Sequence, residues 1–279
     1  MTNVNRKAVE QLRFHRSERL LGSNTMVHLK SRHVMVIGLG GVGSWAAEML
    51  LRTGVGRLSL VDFDKVCVTN TNRQLHATKA TVGKYKAEAL AERLQVINPA
   101  AEIEPVVRFY NPESEEDLLG LEPDLVLDCI DNLTAKCHLL AKCVQRKIPV
   151  ISSMGAAARI DPTQIRVADL SETRMDPMAR AVRKILRQRF QLETGIRTIF
   201  SIEEPKEAQS TETPFDNVCV CPGGGNNGLH TCDHKNVILG TVGFVTGAFG
   251  MAMAGEAIRH LREGAEVTIP PESKLLEAQ

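Results

Sequence analysis

Short apolar runs alternate with stretches of helical periodicity through the first half of the chain. The runs 33–37, 57–61, 101–107, 125–128 and 149–153 read as buried strands, and 44–52, 82–97 and 134–146 read as the helices between them. Strands that alternate with helices in this way predict a parallel sheet with helices on both faces. The second half is less regular. Segments 164–168 and 197–202 read as further strands, and 176–188, opened by Asp176-Pro177, reads as an amphipathic helix. Residues 203–236 carry acids, Ser, Thr, Pro and a Pro-Gly-Gly-Gly-Asn-Asn-Gly run, the composition of a long mobile loop. The expected architecture is α/β: a Rossmann-like, doubly wound, mainly parallel sheet with a C-terminal extension. Its expected parts are a helical arm (1–30), a nucleotide-binding core (31–170) and a C-terminal part (171–279) with the basic helix, the loop and a final apolar helix.

That last helix, expected from about 237 to 262, needs care, because 237–255 contains no charged residue and approaches the length of a membrane span. Gly240, Gly243, Gly247, Gly250 and Gly255 interrupt it, and Thr241 and Thr246 lie within it. Such a stretch suits close helix packing. A buried helix with its entry loop is therefore expected, and no membrane segment is favoured. Composition agrees: 43% hydrophobic and 24% charged residues with a net charge of +1 describe an ordinary globular chain. The N-terminus lacks the apolar stretch of a signal peptide, and an odd seven cysteines without a disulfide-scaffold spacing suit a reducing cytoplasm.

The first candidate chemistry follows strand 33–37. Gly38-Leu39-Gly40-Gly41-Val42-Gly43 lies between a strand and a helix, where glycine lets the backbone approach a phosphate and the helix N-terminus attracts anions. Asp62, at the end of the next strand, is placed to hold ribose hydroxyls. A nicotinamide-dependent oxidoreductase would show that much, and so would a scaffold that kept a nucleotide fold. The residues that follow point elsewhere. Val61-Asp62-Phe63-Asp64 leads to Asn70-Thr71-Asn72-Arg73-Gln74 and then to Lys86. Arg73 and Lys86 are cations suited to a triphosphate and its transition-state charge. Asp128-Cys129-Ile130-Asp131-Asn132 falls at a strand's C-terminal end, where carboxylates suit magnesium. Any one of these residues alone could merely cap a turn or a helix; the set argues for ATP.

This series resembles the adenylating domain shared by the activators of molybdopterin and thiamine sulfur carriers and the ubiquitin-activating enzymes. The resemblance implies that Arg73 and Lys86 contact ATP phosphates, that Asp62 binds ribose and that Asp131 supports Mg²⁺. Gly38, Gly40, Gly41, Gly43, Asp64, Asn70, Gln74, Asp128 and Asn132 complete the implied nucleotide site. Val42–Glu48, Val66–Gln74, Ile160–Ile165 and Phe200-Ser201 are further similar to the branch that dehydrates threonylcarbamoyladenosine in tRNA, as are Arg13-Phe14 and Arg19-Leu20. The implied reaction activates the threonyl carboxylate as an acyl-adenylate; the carbamoyl group then closes a ring and AMP leaves. The ring closure is intramolecular, so proximity supplies much of its rate, and no enzyme nucleophile is needed. The family also implies a homodimer in which an N-terminal arginine, Arg13 or Arg19, clamps the phosphates of the partner's site. It leaves open a cysteine desulfurase system or sulfur acceptor as a further partner. The competing reading is an adenylyltransferase that activates the C-terminus of a ubiquitin-like sulfur carrier.

Two features remain. Many relatives hold zinc with Cys-x-x-Cys pairs, which are missing; Cys219, Cys221, Cys232 and His234 leave zinc, a reactive cysteine and plain loop cysteines all open. Arg174, Arg180, Arg183, Lys184, Arg187 and Arg189 crowd the amphipathic helix against one acid, Asp176. Met178, Val182, Ile185 and Leu186 can form its apolar stripe, leaving Arg180, Arg183, Lys184 and Arg187 as a candidate tRNA surface.

Overall fold

The computed structural model describes residues 12–207 and 239–266. Residues 1–11 of the arm, 208–236 of the expected loop with Cys219, Cys221, Cys232 and His234, and the first residues of the expected final helix lie outside these.

Alternation within the strands builds the layers. The strands are β1 (His33–Ile37), β2 (Arg57–Val61), β3 (Glu102–Val106), β4 (Leu125–Asp128), β5 (Val150–Ser153), β6 (Ile165–Asp169) and β7 (Arg197–Ser201). All five residues of β1 are buried. Val34 and Val36 join one core while Met35 and Ile37 join another, because successive side chains leave a strand on opposite faces. The first core gathers helices α3 (Gly43–Thr53), α4 (Lys86–Ile97) and α8 (Gly243–Glu266), and the second gathers α5 (Glu115–Leu119), α6 (Leu133–Arg146) and α7 (Pro177–Ile185). Two short helices, α1 (His15–Leu21) and α2 (Ser23–Lys30), precede β1. The sheet order is β3-β2-β1-β4-β5-β7-β6; every pairing is parallel except β6 with β7. This is the doubly wound, mainly parallel α/β fold expected from the alternation.

Some boundaries differ. The helix expected from 82 begins at Lys86, because Gly83 adopts φ +90° and Tyr85 stays extended to bridge Lys65. The helix expected over 176–188 ends its α-helical part at Ile185 and continues as a π-helical turn, Leu186–Phe190. From Gly243 the uncharged stretch is helical, forming the first half of α8, which lies against α3. A Cβ on Gly250 would stand 2.5 Å from Val42 O and 2.6 Å from Trp45 Cβ, so glycine sets the approach of the two helices. Phe249, Met253 and Ala257 fill the core beneath. Among the described residues no helix is long and apolar enough to cross a membrane.

Candidate nucleotide site

In the strand order the chain leaves β1 for β2 and β3 on one side, then crosses to β4 on the other. The crevice at the C-terminal ends of β1 and β4 is thus the switch point where open α/β sheets bind ligands. The glycine loop fills it. Gly38 has φ +89°, and a Cβ there would lie 2.7 Å from Cys129 O; a Cβ on Gly43 would lie 1.9 Å from Gly38 O. Only glycine lets the loop fold this tightly over β4 and into the first turn of α3. At Gly40 the nearest atom to such a Cβ is Gln74 Nε2 at 3.9 Å, so this side of the loop has room.

Asp62 locks the loop from β2. Its carboxylate accepts the Leu39 N–H at 2.7 Å and the Asp64 N–H at 2.8 Å. Burial pushes its carboxyl up, against the pull of Lys86. Lys86 Nζ donates to Asp64 Oδ2 at 2.8 Å. Burial pushes the Lys86 ammonium down, but Asp62 and Asp64 outweigh it and hold the group above its ordinary value. Lys86 therefore carries its charge throughout the neutral range. The segment with Arg73 is clamped from above: Trp45 Nε1 donates to Arg73 O at 3.1 Å and Asn72 Nδ2 to Thr241 O at 2.9 Å. Burial lowers the Arg73 guanidinium, and Asp131 opposes this. Asn70 is buried and its Oδ1 accepts the Cys67 N–H, shaping the turn that presents Arg73. Gln74 is buried, and its Oε1 has no hydrogen-bond partner.

Asp131 is exposed, and its charge reaches both Arg73 and Lys86. Asn132 caps α6, its Oδ1 accepting the Ala135 N–H at 3.0 Å. Asp128 needs correction as a nucleotide ligand. It is fully buried, and its carboxylate takes Lys136 Nζ at 2.6 Å, Ser152 Oγ at 2.6 Å and the Ile130 N–H at 3.1 Å. It is a strut within the sheet. Arg13 donates to Ile97 O at the end of α4, beside the opposite ends of the strands. There it lines a cavity of about 350 Å³ with Phe14, Met26, Lys30, Gly56 and Asn98. Arg19 is exposed on α1. Neither joins the nucleotide site of this chain.

Of the basic set, Arg180, Lys184 and Arg187 are exposed. Arg183 is corrected: its guanidinium donates to Thr173 O at 2.9 Å and also to Thr173 Oγ1 and Leu170 O, which withdraws it from the surface. Among the described residues no cluster of three or more His, Cys, Asp or Glu side chains could hold a metal.

Sequence reasoning missed His76, whose ring is buried with both nitrogens unpartnered. Burial, then Lys86 and Arg93, push its imidazole down to about 4. The unfolded chain binds this proton near the ordinary value of 6.5, so the group stabilises the fold above that pH. That stability, about 3 kcal/mol at most, is lost as pH falls from about 6.5 through 4. His76→Leu is expected to lose less stability than the native protein between pH 7 and 4.5 in chemical denaturation. Parallel losses in the two proteins would exclude His76 as the source.

The glycine loop, the acid on β2 and the paired cations define an ATP-binding domain of the adenylating kind. The chain belongs to the ThiF family, whose model matches residues 14–278. It is 38% identical over 255 residues to the tRNA threonylcarbamoyladenosine dehydratase of Escherichia coli K12, covering 89% of this chain and 93% of that one. A crystal structure of the E. coli dehydratase in complex with ATP superimposes with a TM-score of 0.80 at 35% identity, covering 93% of this chain and 97% of that one. The molybdopterin-synthase adenylyltransferase of E. coli is 40% identical over 154 residues, but only across 54% of this chain and 61% of its own.

Proposed function

We propose that the chain is an ATP-dependent tRNA threonylcarbamoyladenosine dehydratase that cyclises the modified adenosine through an acyl-adenylate. One observation carries the choice over a sulfur-carrier adenylyltransferase: the likeness to the dehydratases runs through both halves of the chain, whereas the likeness to the adenylyltransferase spans about half of it. In this reading the Gly38–Gly43 loop takes the phosphates, Asp62 the ribose, and Arg73 and Lys86 neutralise the charge that develops at the phosphate under attack. Asp131 would hold magnesium; one exposed carboxylate beside two cations suits an ion carried mainly by phosphate oxygens and water, and that ion supplies further charge neutralisation. Pyrophosphate exchange into ATP tests the choice. Exchange that depends on modified tRNA supports it, and exchange that depends on a ubiquitin-like carrier protein instead overturns it.

The same reading includes a homodimer in the cytoplasm. Arg13 and Arg19 stand away from their own site, as residues that serve a partner's site would, and Leu20, Val27 and Phe244 leave apolar surface that a second copy can cover, being 83%, 73% and 60% exposed. Cys129, Cys137 and Cys143 are free thiols, as suits a reducing compartment. Sedimentation at assay concentration is expected to give a dimer; a fully active monomer would refute it. Because the reaction consumes no sulfur, a cysteine desulfurase system is not part of the proposal.

In this reading the tRNA surface is α7 with the turn after it, where Arg180, Lys184 and Arg187 are exposed. Arg180→Glu with Arg187→Glu is expected to weaken tRNA binding and flatten its salt dependence, since fewer phosphates are neutralised and fewer counterions released. ATP affinity should stay unchanged. Filter binding across a salt series reads both quantities, and an unaltered slope and affinity would place the tRNA elsewhere.

A further inference from the structure

The buried charge pair behind the site is used by none of the chemistry above. Lys136 is among the largest fully buried side chains, and Asp128 beside it has no exposed surface. Lys136 Nζ donates to Asp128 Oδ2 at 2.6 Å, to Ser153 O at 3.0 Å and to Ser152 Oγ at 3.3 Å. A buried pair of this kind is weak evidence for stability, because the cost of removing two charges from water offsets much of their attraction. What the pair does for the site is plainer. Asp128 Oδ1 accepts the Ile130 N–H, pinning the turn that runs to Asp131. The Cys129 carbonyl in that turn lies where Gly38 admits no side chain, so turn and phosphate loop are stacked on each other. Lys136 also sits in the first turn of α6, with its own N–H on Asn132 O, one residue beyond Asp131.

We propose that Lys136 is a positioning residue: through Asp128 it fixes the turn that aims Asp131 and supports the glycine loop. The inference rests on the proposed role of Asp131. A misplacement of about 1 Å in a reacting constellation can cost about 10²-fold in rate. Deleting only one partner would strand a buried charge, so the informative variant removes the cluster together: Asp128→Leu, Lys136→Met and Ser152→Ala. Apolar replacement of similar volume is often neutral or stabilising, so the variant can fold while the turn loses its anchor.

The expected result is a native-like melting temperature, an adenylation kcat lowered about 10²-fold and a KM for ATP within about threefold of native. Asp131→Asn, made in both backgrounds, separates positioning from general damage. If Lys136 acts through Asp131, that substitution costs much less in the triple variant than in the native protein. A folded triple variant with native kcat, or an Asp131→Asn loss of equal size in both backgrounds, overturns the positioning role alone. A native protein indifferent to Asp131→Asn overturns the reading of Asp131 and this inference with it. Ser152→Ala alone, a smaller change to the same carboxylate, carries the same criterion if the triple variant does not fold: a several-fold lower kcat with unchanged KM is expected, and a native kcat overturns the proposal.

Discussion

Arg73→Ala and Lys86→Ala are each expected to lower ATP-dependent adenylation about 10²–10³-fold while leaving the protein folded. Both cations are held in place before any ligand arrives. Lys86 is gripped by Asp64 with Asp62 beside it, and Arg73 is carried on a segment that Trp45 and Thr241 clamp. Charges organised in advance need no rearrangement as the transition state forms, which is why removing one is costly. Lys86→Ala has a second effect, since it leaves buried Asp62 without the ammonium that opposes the cost of its burial. Lys86→Arg keeps the charge but cannot keep the short contact to Asp64, so it should restore stability without restoring the full rate. Initial rates of pyrophosphate release, paired with thermal melts, check this. Near-native turnover in either alanine variant would remove that residue from the phosphate site.

Asp131→Asn and Asp62→Asn are expected to fail in different ways. Asp131 is exposed and electrostatically coupled to both cations, so its loss should lower kcat about 10²-fold or more and abolish the response to added magnesium. Asp62 is buried and grips the Leu39 N–H, a bond that asparagine can still accept. Its substitution should weaken ground-state binding, raising the KM for ATP about tenfold with kcat changed little. Steady-state kinetics over a magnesium series separates the two. If Asp62→Asn lowered only kcat, or Asp131→Asn raised only KM, the division of roles would be wrong.

How much of this was legible in the sequence differs by kind of signal. The strands were, because β1, β2, β4 and β5 are short runs buried on both faces, which leaves an unbroken apolar pattern. The glycine loop was as well, since its tight packing demands residues that nothing else can replace. Roles that depend on which atoms a carboxylate faces were not. Asp128 and Asp131 share one motif, yet three residues separate a fully buried strut from an exposed carboxylate. The clue lay further on: Lys136 stands at helical spacing with Leu140 and Cys143 on a buried stripe, and a lysine there requires a buried acid. Arg183 misled for a related reason. Spacing puts it on the polar side of α7, but only the fold brings the carbonyls of Leu170 and Thr173 to meet it. The start of α4 was misread because helical periodicity continues back through Gly83, while the chain there is pinned by the bridge between Lys65 and Tyr85.

The site is expected to spend ATP to remove water from a modified adenosine in tRNA. Mass spectrometry of nucleosides from tRNA carrying threonylcarbamoyladenosine, incubated with the purified protein, ATP and magnesium, tests it most directly. The nucleoside is expected to lose the mass of one water, with one AMP formed per nucleoside converted, and Arg73→Ala is expected to prevent both. An unchanged nucleoside mass in the presence of a folded, ATP-binding protein would contradict it.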